Sequence, residues 1–180
     1  AFQSSGLTSI AIPASVTTIG GYAFSSTSSL ASVTFGSGSL LQSIGSVAFQ
    51  RSGLTSITIP ASVTTIGQSA FNRASSLASV TFGSGSQLQS IGSNAFQRSG
   101  LTSITIPASV TTIGDYAFKS SGLTSIIIPA NVTTIGDSAF SSTSSLRSVS
   151  FASGSLLQSI GNNAFQSSGL TSIEIPASVT

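Results

Sequence analysis

Three small sets of residues in this 180-residue chain could do chemistry. Asp115 and Asp137 each follow a glycine, 22 residues apart, and Asn162 holds the matching place 25 residues later. Stacked repeats would bring the two carboxylates to about 5 Å, the separation of the paired acids in a retaining glycosidase. Such an enzyme also needs a cleft, an acid of raised pKa and aromatic rings for the sugar, and the neighbouring sequence supplies none of them. The same pair is a candidate for a weak calcium contact. Arg51, Arg73 and Arg98 form the second set, each two residues after a phenylalanine. At the same spacing they make one cationic edge, either solvated or bridged by an anion such as a sulfated or phosphorylated glycan. The third set is hydroxyls, with 44 Ser and 20 Thr. A serine nucleophile needs a base, and a chain with no His and a single lysine, Lys119, offers no partner for one. "GSGS" is a glycine-rich loop without the lysine or helix of a phosphate cradle. With no cysteine there is neither a thiolate metal site nor a disulfide framework. No catalytic residue, resident metal or cofactor is expected. "NVT" at Asn131 is a glycosylation acceptor if a eukaryote secretes the protein.

Charged residues make up 4% of the chain, against about a quarter in an ordinary soluble domain. Hydroxyls therefore take the place of charges as the polar surface. The net charge of +2 rests on five cations and three acids, so neither nucleic acid nor an anionic membrane is implied as a partner. No run of eighteen apolar residues and no basic-then-apolar leader is present, so this segment has no expected membrane span or signal peptide. The chain has no Met, and is expected to be a processed product or a piece of something longer.

The elements that must position these residues are written as repeats. "LTSITIPASVTTIG" begins at Leu54 and again, unchanged, at Leu101. An Ala-Phe pair marks the register at Phe2, Phe24, Phe49, Phe71, Phe96, Phe118, Phe140 and Phe165, with spacings of 22, 25, 22, 25, 22, 22 and 25. Periods of this length indicate a solenoid, in which no unit folds alone and stacked neighbours bury each other's faces. In the short turn, Leu54, Ile57 and Ile59 point inward while Ser56 and Thr58 alternate outward along a strand. Pro60 ends that strand, because it has no N–H to continue the ladder. "VTTIG" supplies a second short strand with Val63 and Ile66 inward. The glycine that follows (Gly20, Gly45, Gly67, Gly92, Gly114, Gly136, Gly161) is expected to serve a positive φ at a tight corner. The long turn keeps Leu30, Val33, Phe35, Leu41, Ile44, Ala48 and Phe49 inward and places most of its additional length in "GSGS".

The pattern L-T-S-I-x-I-P-x-x-V-T-x-I-G-x-x-A-F, running through the whole chain, resembles the BspA-like, or Treponema-type, leucine-rich repeat. The resemblance implies a right-handed leucine-rich-repeat solenoid, all-β, and the Phe spacings and chain ends give it alternating 22- and 25-residue turns, about eight turns and no caps. Residues 1–180 form one domain in this reading, with one sheet from the "TSITIP" strands and a shorter one from "VTTIG". The family often carries Cys three residues after the marker Phe. Here Ser5, Thr27, Ser52, Ala74, Ser99, Ser121, Thr143 and Ser168 hold that place, small and inert to oxidation. The resemblance also implies an extracellular or cell-surface setting and non-catalytic adhesion or binding of a protein or glycan. A leucine-rich-repeat sheet is the usual binding face, here a ladder of Ser32, Thr34, Ser56, Thr58, Ser79, Thr81, Ser103, Thr105, Ser148 and Ser150. The exceptions are Ala11, Ile127 and Glu174. These hydroxyls could also do no more than solvate a β surface, or could order ice on a flat face. A structural reading, a segment of a self-associating filament or matrix fibre, stands beside the adhesive one. The chain opens on "AFQSSG" and stops at "IPASVT", each inside a turn. It is expected to be an excerpt of a longer array, and on its own to pair end to end with copies of itself.

Overall fold

The structure, a computed structural model, describes residues 2–180. It is an all-β, parallel, right-handed coil of about seven turns. The expected eight become seven because eight marker phenylalanines bound seven complete turns. Each complete turn contributes a two-residue strand, and every one except the turn holding residues 103–106 also contributes a four-residue strand. The longer ones are β1 (Ser9–Ile12), β3 (Ser32–Phe35), β5 (Ser56–Ile59), β7 (Ser79–Phe82), β10 (Ser125–Ile128) and β12 (Ser148–Phe151). The shorter ones are β2 (Thr18–Ile19), β4 (Ser43–Ile44), β6 (Thr65–Ile66), β8 (Ser90–Ile91), β9 (Thr112–Ile113), β11 (Thr134–Ile135) and β13 (Ser159–Ile160). β5 stops at Ile59, immediately before Pro60, as the missing N–H requires.

The inward pattern read from the sequence is the core. Leu54, Ile59, Val63, Ile66, Ala70 and Phe71 are fully buried, while Ser56 and Thr58 are exposed. The marker phenylalanines form one column, with ring centroids 5.1–5.4 Å apart and planes within 11° of parallel. Main-chain bonds repeat at the same rise. The N–H of each marker Phe from Phe2 to Phe140 donates to the carbonyl of the Ala before the next one, at 2.6–2.8 Å. Along residues 47–52 the donors alternate between the next turn and their own. Val47, Phe49 and Arg51 donate to Gln68, Ala70 and Asn72, whereas Ala48, Gln50 and Ser52 donate three residues back. Both sets of buried backbone groups are satisfied, which is the condition for so irregular a segment to lie inside the stack.

That alternation needs left-handed backbone, and it does not fall on the glycines. The residues two before and two after each marker Phe carry it, fifteen non-glycine residues with φ of 53–63°, among them the β-branched Val47. The corner glycines are absent from the positive-φ set, where the glycines are Gly38, Gly85 and Gly154 of the long-turn loops. The expectation for the corner is therefore corrected. A Cβ on Gly92 would lie 2.8 Å from Gly67 C and Ile66 O, and 2.9 Å from Gln68 N, all main-chain atoms. Glycine is there because adjacent turns approach too closely for any side chain.

The two sheets also differ from expectation. The short strands make one continuous parallel sheet in the order β13-β11-β9-β8-β6-β4-β2. The longer strands do not. They form three separate pairs, β1-β3, β5-β7 and β10-β12, each joining a short turn to the long turn after it. At the next junction the long turn has one additional residue before its strand, and this residue bulges toward the following turn. Ser28 O, Ser75 O and Ser144 O press so close to Gly53, Gly100 and Gly169 that an added Cβ would collide with them. The wedge coincides with each opening of the ladder after a long turn. Residues 103–106, with openings on both sides, are not a strand at all.

Two outcomes test this stack. Phe96 is fully buried between Phe71 and Phe118, so Phe96→Ala should lower stability by about 3–5 kcal/mol in denaturant melts. A loss of about 1 kcal/mol or less would remove the Phe column from the core. Gly92→Ala should cost about 1–3 kcal/mol, since backbone and not a flexible side chain must yield. An unchanged melting temperature would show that the corner has room.

Candidate functional site

The broad face carries the hydroxyls foreseen for it. Ser32, Thr34, Ser56, Thr58, Thr81, Ser103, Thr105, Ser148 and Ser150 are exposed and Ser79 is half-buried. Register places Ser56 against Ser79 and Thr58 against Thr81, whose hydroxyl oxygens lie 2.9 Å apart. Ile127, opposite Ser150, is 64% exposed. The face is not flat. A groove of 740 Å³ lies between β3 and β5, one of 580 Å³ between β7 and residues 103–106, and one of 660 Å³ between β12 and residues 174–178. A further 460 Å³ opening separates residues 103–106 from β10, where two short turns adjoin. The unbroken lattice on which ice ordering depends is interrupted at each of them.

The first three grooves share a construction that the sequence reading missed. The long-turn pattern sets Phe35 inward with the rest of the core, yet Phe35 and its equivalents Phe82 and Phe151, the last residues of the long-turn strands, are only half-buried. Each lines its groove together with Pro60, Pro107 or Pro176. The signal lay in the fourth strand position, which is Ile in every short turn and Phe in every long one. A larger ring at the turn that opens the ladder lines the opening. Each groove thus combines an aromatic wall, a proline wall and the hydroxyls of adjacent turns.

The arginine edge is assembled as the spacing suggests. Arg51, Arg73 and Arg98 are exposed and line one groove of 560 Å³ with Ser28, Ser75 and Ser76. Their N–H groups donate to Asn72, Gln97 and Lys119, each in the next turn, so their backbones are successive rungs. In the next turn Ser120 takes that place, and Lys119, one residue before it, holds its ammonium 5.2 Å from the centre of the Tyr116 ring.

The acidic pair has a structural task. Oδ1 of Asp115 accepts the N–H of Asp137 at 2.8 Å, and Oδ1 of Asp137 accepts the N–H of Asn162 at 2.6 Å. Each carboxylate thereby caps the main chain of the next turn, in space that the corner glycines Gly136 and Gly161 leave open. Among the described residues no group of three or more His, Cys, Asp or Glu could hold a metal ion. The amide of Asn131 donates to Ala108 O at 2.8 Å, where Ser62 and Ser109 use hydroxyls in the equivalent place. Its nitrogen, the atom that glycosylation would modify, is thus engaged with the preceding turn. Three residues after the marker Phe, Thr27 and Thr143 donate to the carbonyls of Phe24 and Phe140. Ser5, Ser52, Ser99 and Ser121 in that column have buried hydroxyls without a partner.

No helix is long and apolar enough to cross a membrane among the described residues. The model of the BspA type leucine-rich repeat region matches residues 1–123 and 84–180, with six copies of the repeat. A leucine-rich cell surface protein of Faecalibacterium prausnitzii is 35% identical, with a TM-score of 0.69 over 83% of this chain and 39% of its own. The pneumococcal vaccine antigen PcpA is 27% identical, with a TM-score of 0.68 over 96% of this chain and 51% of its own. A leucine-rich repeat protein of Bacteroides ovatus, 24% identical with a TM-score of 0.53, covers 94% of this chain and 67% of its own and shares the fold. The chain therefore spans about two fifths to one half of the length of the first two. No curated protein matches it. The repeat motif, the coil it builds and these matches agree that the chain is a leucine-rich-repeat module resembling bacterial cell-surface proteins, and that it belongs to the BspA-type leucine-rich repeat family.

Proposed function

We propose that the chain is an extracellular or cell-surface adhesion module that holds a protein or glycan ligand across its broad face. The observation that carries this reading is the row of grooves on that face. Phe35, Phe82 and Phe151 give each an apolar wall, and Ser and Thr hydroxyls of the adjoining strands give it donors and acceptors. An apolar surface with a few placed polar groups is the usual make-up of a ligand site. Grooves recurring along one axis suit an extended ligand that meets several in succession. Similarity to a leucine-rich cell surface protein supports display outside the cell. Apart from Ala11, Ile127 and Glu174, the broad face carries hydroxyls at its named positions, and Glu174 is the one charge, so a ligand there is held mainly by hydrogen bonds and apolar contact.

The reading is tested by coating beads with the chain and measuring their capture by a panel of extracellular-matrix proteins and by a glycan array. Thr58→Lys with Thr105→Lys sets a long charged side chain into the first two grooves and should lower capture at least tenfold. Thr65→Lys with Thr112→Lys, on the continuous short-strand sheet, should leave it unchanged. Circular dichroism confirms that both variants fold. Capture by no member of either panel, or equal loss in both variants, would sink the proposal.

A further inference from the structure

We propose that the arginine groove is a second binding site, for a linear anionic glycan carrying sulfate or phosphate groups, laid along the coil axis. Charge is segregated along this chain. All three acids, Asp115, Asp137 and Glu174, lie beyond residue 114. Residues 1–114 therefore carry Arg51, Arg73 and Arg98 against no acid, a charge of +3. Residues 115–180 carry Lys119 and Arg147 against three acids, a charge of −1, and the two parts sum to the +2 of the whole. The three arginines line one groove of 560 Å³ whose lining contains no carboxylate. Arg147, by contrast, turns back to donate to the carbonyl of Ser144.

The groove is pre-ordered for a repeating anion. The backbone at Arg51, Arg73 and Arg98 is left-handed, with φ of 53°, 58° and 54°, and each N–H is bonded to the next turn. The three side chains therefore leave fixed rungs that follow the rise of the coil, 5.3–5.4 Å between Phe rings there. Ser holds the same position in the other turns, as Ser4, Ser26, Ser120, Ser142 and Ser167, so the fold itself has no need of a cation. Like charges in register repel, and an anion lying between them reverses the sign of that interaction. Arg guanidinium groups match sulfate and phosphate oxygens in bidentate geometry. Ser28, Ser75 and Ser76 line the same space, and polar groups of this kind suit the hydroxyls of a sugar. No aromatic ring lines the groove, so the stacking platform of a single-stranded nucleic-acid site is missing.

The test is titration calorimetry of the 180-residue chain with a heparin-derived sulfated oligosaccharide and, separately, with a phosphorylated dextran. At least one should bind at low ionic strength and weaken as salt shortens the screening length. The tighter of the two identifies the anionic group. Arg51→Ser, Arg73→Ser and Arg98→Ser combined, which installs the residue used in the other turns, should lower that affinity at least tenfold, while Arg147→Ser should leave it unchanged. The proposal is overturned if the triple variant binds as the parent does, if Arg147→Ser loses as much, if neither probe binds, or if double-stranded DNA binds as tightly as the better glycan. The site shares with the broad-face reading only an extracellular ligand. The triple variant should keep the bead capture described above, so either reading can fail alone.

Discussion

One distance governs this molecule: the 5.1–5.4 Å rise from each turn to the next, read from the centroids of the marker phenylalanines. The rise is set by main-chain hydrogen bonds between turns, of 2.6–2.8 Å at the marker phenylalanines. Everything placed on a turn must then tolerate a neighbour that close above and below. Aromatic rings tolerate it by stacking, with near-parallel planes and centroids within the range of favourable pairs. Backbone tolerates it at the corner only where there is no Cβ, hence glycine. Fifteen non-glycine residues take left-handed backbone so that their N–H groups point along the axis. Each such residue costs on the order of 1–2 kcal/mol, a strain held in place by the bonded turn on either side.

The sequence made legible whatever repeats with a simple period. Ile57 and Ile59 inward with Ser56 and Thr58 outward follows from alternation alone, and the register of Ala-Phe follows from counting. What stayed hidden depends on contact between turns, which a reading of single turns does not contain. Gly92 looks like a positive-φ corner on paper because that is the commonest local reason for glycine; its real reason lies in Gly67, twenty-five residues earlier. Asp115 and Asp137 look like a chemical pair until the neighbouring turn supplies the N–H groups that their carboxylates accept. The left-handed residues carry no residue-type signature either, since Tyr22, Val47, Ser69 and Asn94 take one conformation in four different guises.

The candidate site grows out of a mismatch between two kinds of turn. The two-residue strands pair throughout in their seven-stranded sheet, whereas the four-residue strands pair only where a long turn follows a short one. The long turn carries one residue too many before its strand, and Ser28, Ser75 and Ser144 push that surplus toward the turn that follows. The ladder yields there, and a phenylalanine that would otherwise complete the core is left half-covered in the opening. Alternation of turn lengths thus converts a closed β surface into a row of clefts without altering the core beneath it. Phe49 and Phe96 remain fully buried in the same column.

The same rise explains why so few residues are charged. In a repeat, any residue at a given place recurs one turn away, so a charged residue in the common pattern becomes a column of like charges about 5 Å apart. Two such charges repel by roughly 1 kcal/mol even in water, and by more where solvent is partly excluded. Each added turn would repeat that penalty. A hydroxyl carries no such penalty, because it both donates and accepts, and Thr58 and Thr81 can bond where two lysines would repel. Ser and Thr are thus the polar residues that stacking permits, and the 4% of charged residues are departures from the pattern. Two of those departures, Asp115 and Asp137, are offset by the N–H groups they cap. Arg51, Arg73 and Arg98 line a groove with no carboxylate, and the protein supplies no counter-charge there. In a chain otherwise built to avoid columns of charge, that one column is the feature least explained by the fold itself.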